Sequence, residues 1–98
     1  MTIEIKRSEE KTILKIVGRL DTTTAPALDK IINEDIADVK NLVLDVKELE
    51  YISSAGLRVF LGAQKKMQKI GSMKVINVRE EVMEVFEITG FSDILTIE

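Results

Sequence analysis

A chain of 98 residues and 11.0 kDa holds one domain, and 45% hydrophobic with 32% charged residues marks it as globular rather than disordered. It has no cysteine, which excludes disulfides and thiolate metal sites, and no histidine, which removes the usual general base and the commonest metal ligand, so neither a Ser-His-Asp triad nor a zinc-hydrolase centre can be built. A net charge of -3, with no tryptophan, argues against a nucleic-acid partner, and the lack of any apolar run of about 20 residues or of an apolar N-terminal stretch leads to the expectation of a cytoplasmic domain without a membrane partner.

The pattern along the chain predicts an α/β domain. Ile3 and Ile5 share one face, and the polar run Ser8-Glu9-Glu10-Lys11 separates them from Ile13-Leu14-Lys15-Ile16-Val17, which reads as an antiparallel hairpin ended by Gly18. Thr22-Thr23-Thr24 before Ala25-Pro26 predicts a capped helix from about Ala25 to Asp35, with Leu28, Ile31 and Ile32 inward. The apolar run from Asn41 to Val46 reads as a central strand covered on both faces. A helix from about Ala55 to Ile70, stopped by Gly71, a strand over Lys74–Val78, a helix over Glu80–Thr89 with Gly90 as its cap, and a short final strand or tail at Ile94–Ile97 complete the order. Alternating strands and helices after residue 40 favour parallel pairing, giving one small domain with a mixed, mostly parallel sheet flanked by helices. Charge is segregated: Ser53–Ser72 carries Arg58, Lys65, Lys66 and Lys69 and no acid, whereas Arg79–Gly90 carries four glutamates against one arginine. Two solvated helix faces account for this, with lysines late in a helix suiting its dipole.

The chemically pointed segment is Tyr51-Ile52-Ser53-Ser54-Ala55-Gly56-Leu57-Arg58, a loop after a buried strand that opens a helix. It half-matches the Gly-x-Ser-x-Gly nucleophile elbow, but Ile52 replaces the first glycine and no histidine exists to activate a serine. Ser53 or Ser54 can cap the helix, a contribution of about 1 kcal/mol. Capping explains one serine and leaves the other. A hydroxyl set among small residues is open to another protein's active site, and the unpaired amides and partial positive charge of a helix start tolerate an added phosphate. Asp21, just past the second strand, is expected near this loop.

Ile52-Ser53-Ser54-Ala55-Gly56-Leu57-Arg58-Val59 following Leu44-Asp45, together with Gly18-Arg19-Leu20-Asp21 and Thr24-Ala25-Pro26, resembles the signature blocks of STAS domains, specifically bacterial anti-sigma factor antagonists. The resemblance spans essentially the whole chain and implies a small mixed sheet flanked by helices. It also implies a switch without catalysis, cofactor or metal. The unphosphorylated antagonist binds an anti-sigma factor that is itself a serine kinase and so frees the sigma factor; the kinase phosphorylates a serine at the start of the second helix, and a PP2C-type serine phosphatase removes the phosphate. Aligned on Gly56, that serine is Ser54, with Ser53 as a minor acceptor. Ser53 stands where the family motif has aspartate, Ala55 where it has serine or threonine, and Arg58 where glycine is common.

On this resemblance the partner-binding residues are expected to be Asp21, Thr22, Thr23, Ser53, Leu57, Arg58 and Leu61. At about 100° per residue, Gly56, Val59, Phe60, Ala63, Met67 and Ile70 form the core stripe of the second helix, with Leu57 and Leu61 outside it towards Gln64 and Gln68. The two leucines either pack under the Thr22–Thr24 loop or form a small exposed patch beside Ser54 that anchors the partner. The alternatives are a STAS scaffold subunit of a transport or signalling assembly, in which Ser54 only caps, and a small enzyme using Asp21, Asp45 or Ser54.

Overall fold

The computed structural model describes residues 1–98. Strand β1 (Thr2–Arg7) and strand β2 (Thr12–Leu20) form the expected antiparallel hairpin. Helix α1 (Ala25–Lys30) runs on into a π-helical segment (Ile31–Asp35), and strand β3 (Asn41–Asp45) and strand β4 (Leu49–Ile52) lead into helix α2 (Ser54–Ile70). Strand β5 (Ser72–Ile76), helix α3 (Glu80–Thr89) and a 3-10 turn (Phe91–Asp93) finish the chain, whose tail adds one parallel bridge from Ile97 to Val75. The sheet order is β1-β2-β3-β5, with β2–β3 and β3–β5 parallel.

Alternation along the strands sends Leu14, Ile16, Leu42, Leu44, Met73 and Val75 to one face, all buried. They join Leu28 of α1, Ile32 of the π-helical segment, Phe60 of α2, and Val82 and Phe86 of α3 in one hydrophobic cluster, where the Phe60 and Phe86 ring centroids lie 6.1 Å apart. The expectation that β3 is covered on both faces is corrected here. All three helices pack on one face; Val43 is buried yet stands outside the cluster, flanked in register by Ile13 and Lys74. Its cover on the helix-free face comes from cross-strand neighbours. That face carries compensated charge: Lys15 Nζ lies 2.7 Å from Glu48 and 3.8 Å from Glu4, and Lys74 pairs with Glu98.

Three further expectations shift. Gly18 does not end β2; the strand leaves β3 after Lys15, faces Leu49 of β4 already at Gly18 (φ 100), and runs on along β4 to Leu20 past a register slip between Gly18 and Arg19. Strand β4 has no signal in the sequence, since its four residues place only Leu49 and Ile52 inward. Strand β5 begins two residues early and stops at Ile76, because Asn77 turns into the left-handed region and donates its amide to Asp45 Oδ1 at 3.1 Å.

Gly71 closes α2 as expected, but in an extended conformation open to any residue. What requires glycine is the approach of the Lys40 carbonyl, which a Cβ at position 71 would overlap and to which Ser72 N donates at 2.7 Å. Gly71→Ala is therefore expected to displace backbone at the start of β3 and β5 and to cost about 2 kcal/mol or more in urea unfolding. A loss under about 0.5 kcal/mol, the range of a neutral surface change, would contradict this packing.

Candidate functional site

The parallel pairing of β2 with β4 sets Leu20 beside Ile52, both buried. The alternation that turns these two inward turns Arg19 and Tyr51 outward, and the Arg19 guanidinium carbon stands 4.2 Å above the Tyr51 ring centroid. One residue on, Ser53 N donates to Leu20 O at 2.9 Å, so the end of β4 is tied to the end of β2 just before each chain leaves the sheet. The first turn of α2 then seats directly on the pair: a Cβ at Gly56 would come within 2.7 Å of Leu20 Cγ and 2.9 Å of Ile52 Cγ1. No larger residue fits at that position without displacing the helix or the leucine.

The two serines divide the work. Ser53, extended at φ -95 and ψ 176, is the N-cap; its Oγ accepts from Gly56 N at 3.4 Å and its carbonyl accepts from Leu57 N at 2.9 Å. Ser54 is the first helical residue, exposed, and its hydroxyl has no hydrogen-bond partner in the chain. The open question of which serine caps is settled for Ser53.

Asp21 organises the neighbouring loop. Its Oδ1 accepts from Thr23 Oγ1 at 2.7 Å, from Thr23 N at 3.0 Å and from Thr24 N at 3.2 Å. The Thr23 hydroxyl, and then the two amides, hold this carboxyl below the ordinary aspartate pKa, so it stays charged across the neutral range. Thr24 does not cap α1 in the expected way; its Oγ1 accepts from Asp21 N at 2.8 Å and donates to Arg19 O at 2.9 Å, locking the turn instead. Thr22 and Thr23 are exposed on its crest. Asp45, the other acid considered for catalysis, is spent on a turn, accepting from Lys47 N and Asn77 Nδ2 at 3.1 Å each. The two largest surface depressions, of about 480 and 520 Å³, share Glu10, Lys11 and Asn41 at the opposite end of the sheet, and none includes Ser53 or Ser54.

The exposed leucine patch is overturned in part. Leu57 is only 6% exposed and belongs to the core, whereas Leu61 is half-buried and Arg58 exposed. The buried stripe of α2 comprises Gly56, Leu57, Phe60, Ala63, Gln64 and Met67; Val59 is half-buried and Ile70 is 41% exposed. The stripe is rotated from expectation because the Gln64 flank is closed by the end of the chain, Thr96 N donating to Gln64 Oε1 at 3.4 Å while Phe60 meets Phe86 of α3. On the other flank Lys66 Nζ donates to Ile32 O at 3.1 Å, joining α2 to the segment after α1. Asp21, Thr22, Thr23, Ser53, Ser54 and Arg58 thus lie on the strand ends, loop and helix turn that meet at the Leu20–Ile52 pair, and Leu57 supports them from beneath. Sequence reasoning missed Arg19 and Tyr51, whose only signal was an aromatic two residues before the serine pair.

The serine turn, the Asp21 loop and the exposed side of α2 thus meet at one corner of the fold. The STAS domain family model matches residues 2–98, and the chain belongs to that family. The anti-sigma-B factor antagonist of Bacillus subtilis (strain 168) is 32% identical over 98 residues, covering 99% of this chain and 90% of the relative. Among solved structures, an anti-sigma factor antagonist from Mycobacterium paratuberculosis superposes with a TM-score of 0.88 at 24% identity, over 98% of this chain and 83% of that one. The anti-sigma factor antagonist SpoIIAA in its unphosphorylated form gives 0.83 at 17% identity, over 99% and 88%. No helix is long and apolar enough to cross a membrane.

Because Ser53 alone caps, Ser53→Ala is expected to lose about 1 kcal/mol of unfolding free energy and Ser54→Ala to stay within about 0.5 kcal/mol of the parent. Equal losses in denaturant melts would reverse the assignment of roles. Leu57→Ala is expected to cost about 2 to 5 kcal/mol and half-buried Leu61→Ala clearly less, measured in the same way.

Proposed function

We propose that this chain is an anti-sigma factor antagonist: a non-enzymatic binding module that, unphosphorylated, engages an anti-sigma serine kinase and releases the sigma factor. Ser54 is the phosphoacceptor, and a PP2C-type serine phosphatase resets it. The observation that carries this reading is the exposed, unpartnered Ser54 hydroxyl beside a cap that Ser53 already satisfies. The full-length likeness to the Bacillus subtilis antagonist supports the choice of partner class. The contact surface comprises Asp21, Thr22 and Thr23 of the loop, Ser53, Arg58 and half-buried Leu61.

Modification changes the surface and leaves the scaffold. A phosphate brings about -1.5 to -2 charges at neutral pH, next to a loop whose Asp21 is held ionised. A partner cavity shaped for a neutral hydroxyl must then desolvate that charge beside a like one. The scaffold alternative finds less support, since capping needs Ser53 and gives Ser54 no task.

Incubation with an anti-sigma serine kinase from the same cell and labelled ATP is expected to modify the parent chain and Ser53→Ala at Ser54, and to leave Ser54→Ala unlabelled. Ser54→Asp is expected to fold normally and to bind the kinase at least about tenfold more weakly, a loss of about 1.4 kcal/mol. Phosphopeptide mapping to Ser53 or to a threonine, or undiminished binding by the authentic phosphoprotein, would overturn the proposal.

A further inference from the structure

We propose that Arg58 is the intramolecular counter-ion of a phosphate on Ser54, so that one turn of α2 holds both the modified residue and the group that clamps it. This rests on the reading of Ser54 as the acceptor. Ser54 and Arg58 stand four residues apart on the exposed side of the helix, where side chains are neighbours with Cβ atoms roughly 5 to 6 Å apart. Long side chains on a helix lean back towards its N-terminus, which aims Arg58 over the turn that Ser54 begins. An anion placed four residues before a cation is also the favoured order for such a pair.

The guanidinium is free to take this part. None of the chain's ion pairs involves α2, and the Arg58 guanidinium makes no hydrogen bond. Its neighbours along the helix, Ala55, Leu61 and Gly62, offer no acceptor, and the segment Ser53–Ser72 has no acid. The charged groups at the adjoining strand ends are Asp21, engaged by Thr23 and Thr24, Arg19, stacked on Tyr51, and Glu50. A phosphate monoester and a guanidinium meet through two parallel N–H···O bonds, an arrangement lysine cannot copy. Pairing favours the doubly ionised phosphate and removes a free arginine from the contact surface, so modification both adds an anion and withdraws a cation.

The test uses chains in which phosphoserine is installed at position 54 during translation, in the parent, Arg58→Gln and Arg58→Ala backgrounds. Phosphorus NMR across pH is expected to give a second phosphate pKa about half a unit lower in the parent than in either variant, the gap closing in ~1 M salt, where the Debye length is about 3 Å. The Arg58 Nε–H signal is expected to move on phosphorylation in the parent. Equal phosphate pKa values in all three chains, with circular dichroism showing each folded, would overturn the clamp. No kinase enters this measurement, so failure of a kinase to modify Ser54 counts against the proposed function alone.

Discussion

The hydrogen bond from Ser53 N to Leu20 O holds two strand ends together, and the candidate site depends on it. Without the switch of β2 from β3 to β4 between Lys15 and Gly18, the loop after β2 and the start of α2 would have no reason to share a corner. With it, the buried pair Leu20–Ile52 becomes a floor, and Gly56 lets the helix sit on that floor at contact distance. The acidic loop and the serine turn are therefore fixed relative to one another by core packing, with no side-chain hydrogen bond or ion pair between them. A surface built this way keeps its shape while its exposed residues change.

Much of this was legible in the sequence because hydrophobic period and turn chemistry agree along most of the chain. The hairpin, the helices from Ala25, Ala55 and Glu80, and the stops at Gly71 and Gly90 follow from local signals, and the serine motif stood out for its chemistry. The largest departures are tertiary. Strand β4 carries only two inward residues, too few for a period, and exists because β2 offers a free edge. Leu57 and Gln64 fell outside the apolar arc because nothing local announces that the C-terminal segment returns to cover that flank. The same return gives a polar residue, Gln64, a buried place with a backbone amide to bind. Val43 looked doubly covered because a continuous apolar run is read as a strand between two layers; here the second layer is missing and the sheet's own side chains replace it.

The two charged regions of the surface also differ in kind. On the open sheet face the cations are answered, Lys15 by Glu48 and Glu4, Lys74 by Glu98, and the Glu48 carboxylate holds the Lys15 ammonium above its ordinary pKa. On α2, Arg58, Lys65 and Lys69 have no partner, and Lys66 is turned to a backbone carbonyl. Exposed pairs are worth well under about 1 kcal/mol each to the fold, so leaving α2 unpaired costs little stability. Those cations remain available for a charge supplied from outside the fold or added to it.

Magnitudes then decide where a switch at Ser54 must act. A negative group at a helix start is worth about 0.3 to 1 kcal/mol in its favour, and the cap that would be at risk belongs to a different residue. Against a domain stability of about 5 to 15 kcal/mol, neither effect can redistribute conformations of the free protein. Burying a phosphate dianion against a partner is another matter, because the desolvation of even one uncompensated charge runs to several kcal/mol, and each 1.4 kcal/mol is about tenfold in affinity. On the proposed reading of Ser54 as the phosphoacceptor, the fold stays the same in both states and the difference between them is read by the partner. That division follows from two adjacent serines, one whose hydroxyl caps the helix and one whose hydroxyl has no partner in the chain.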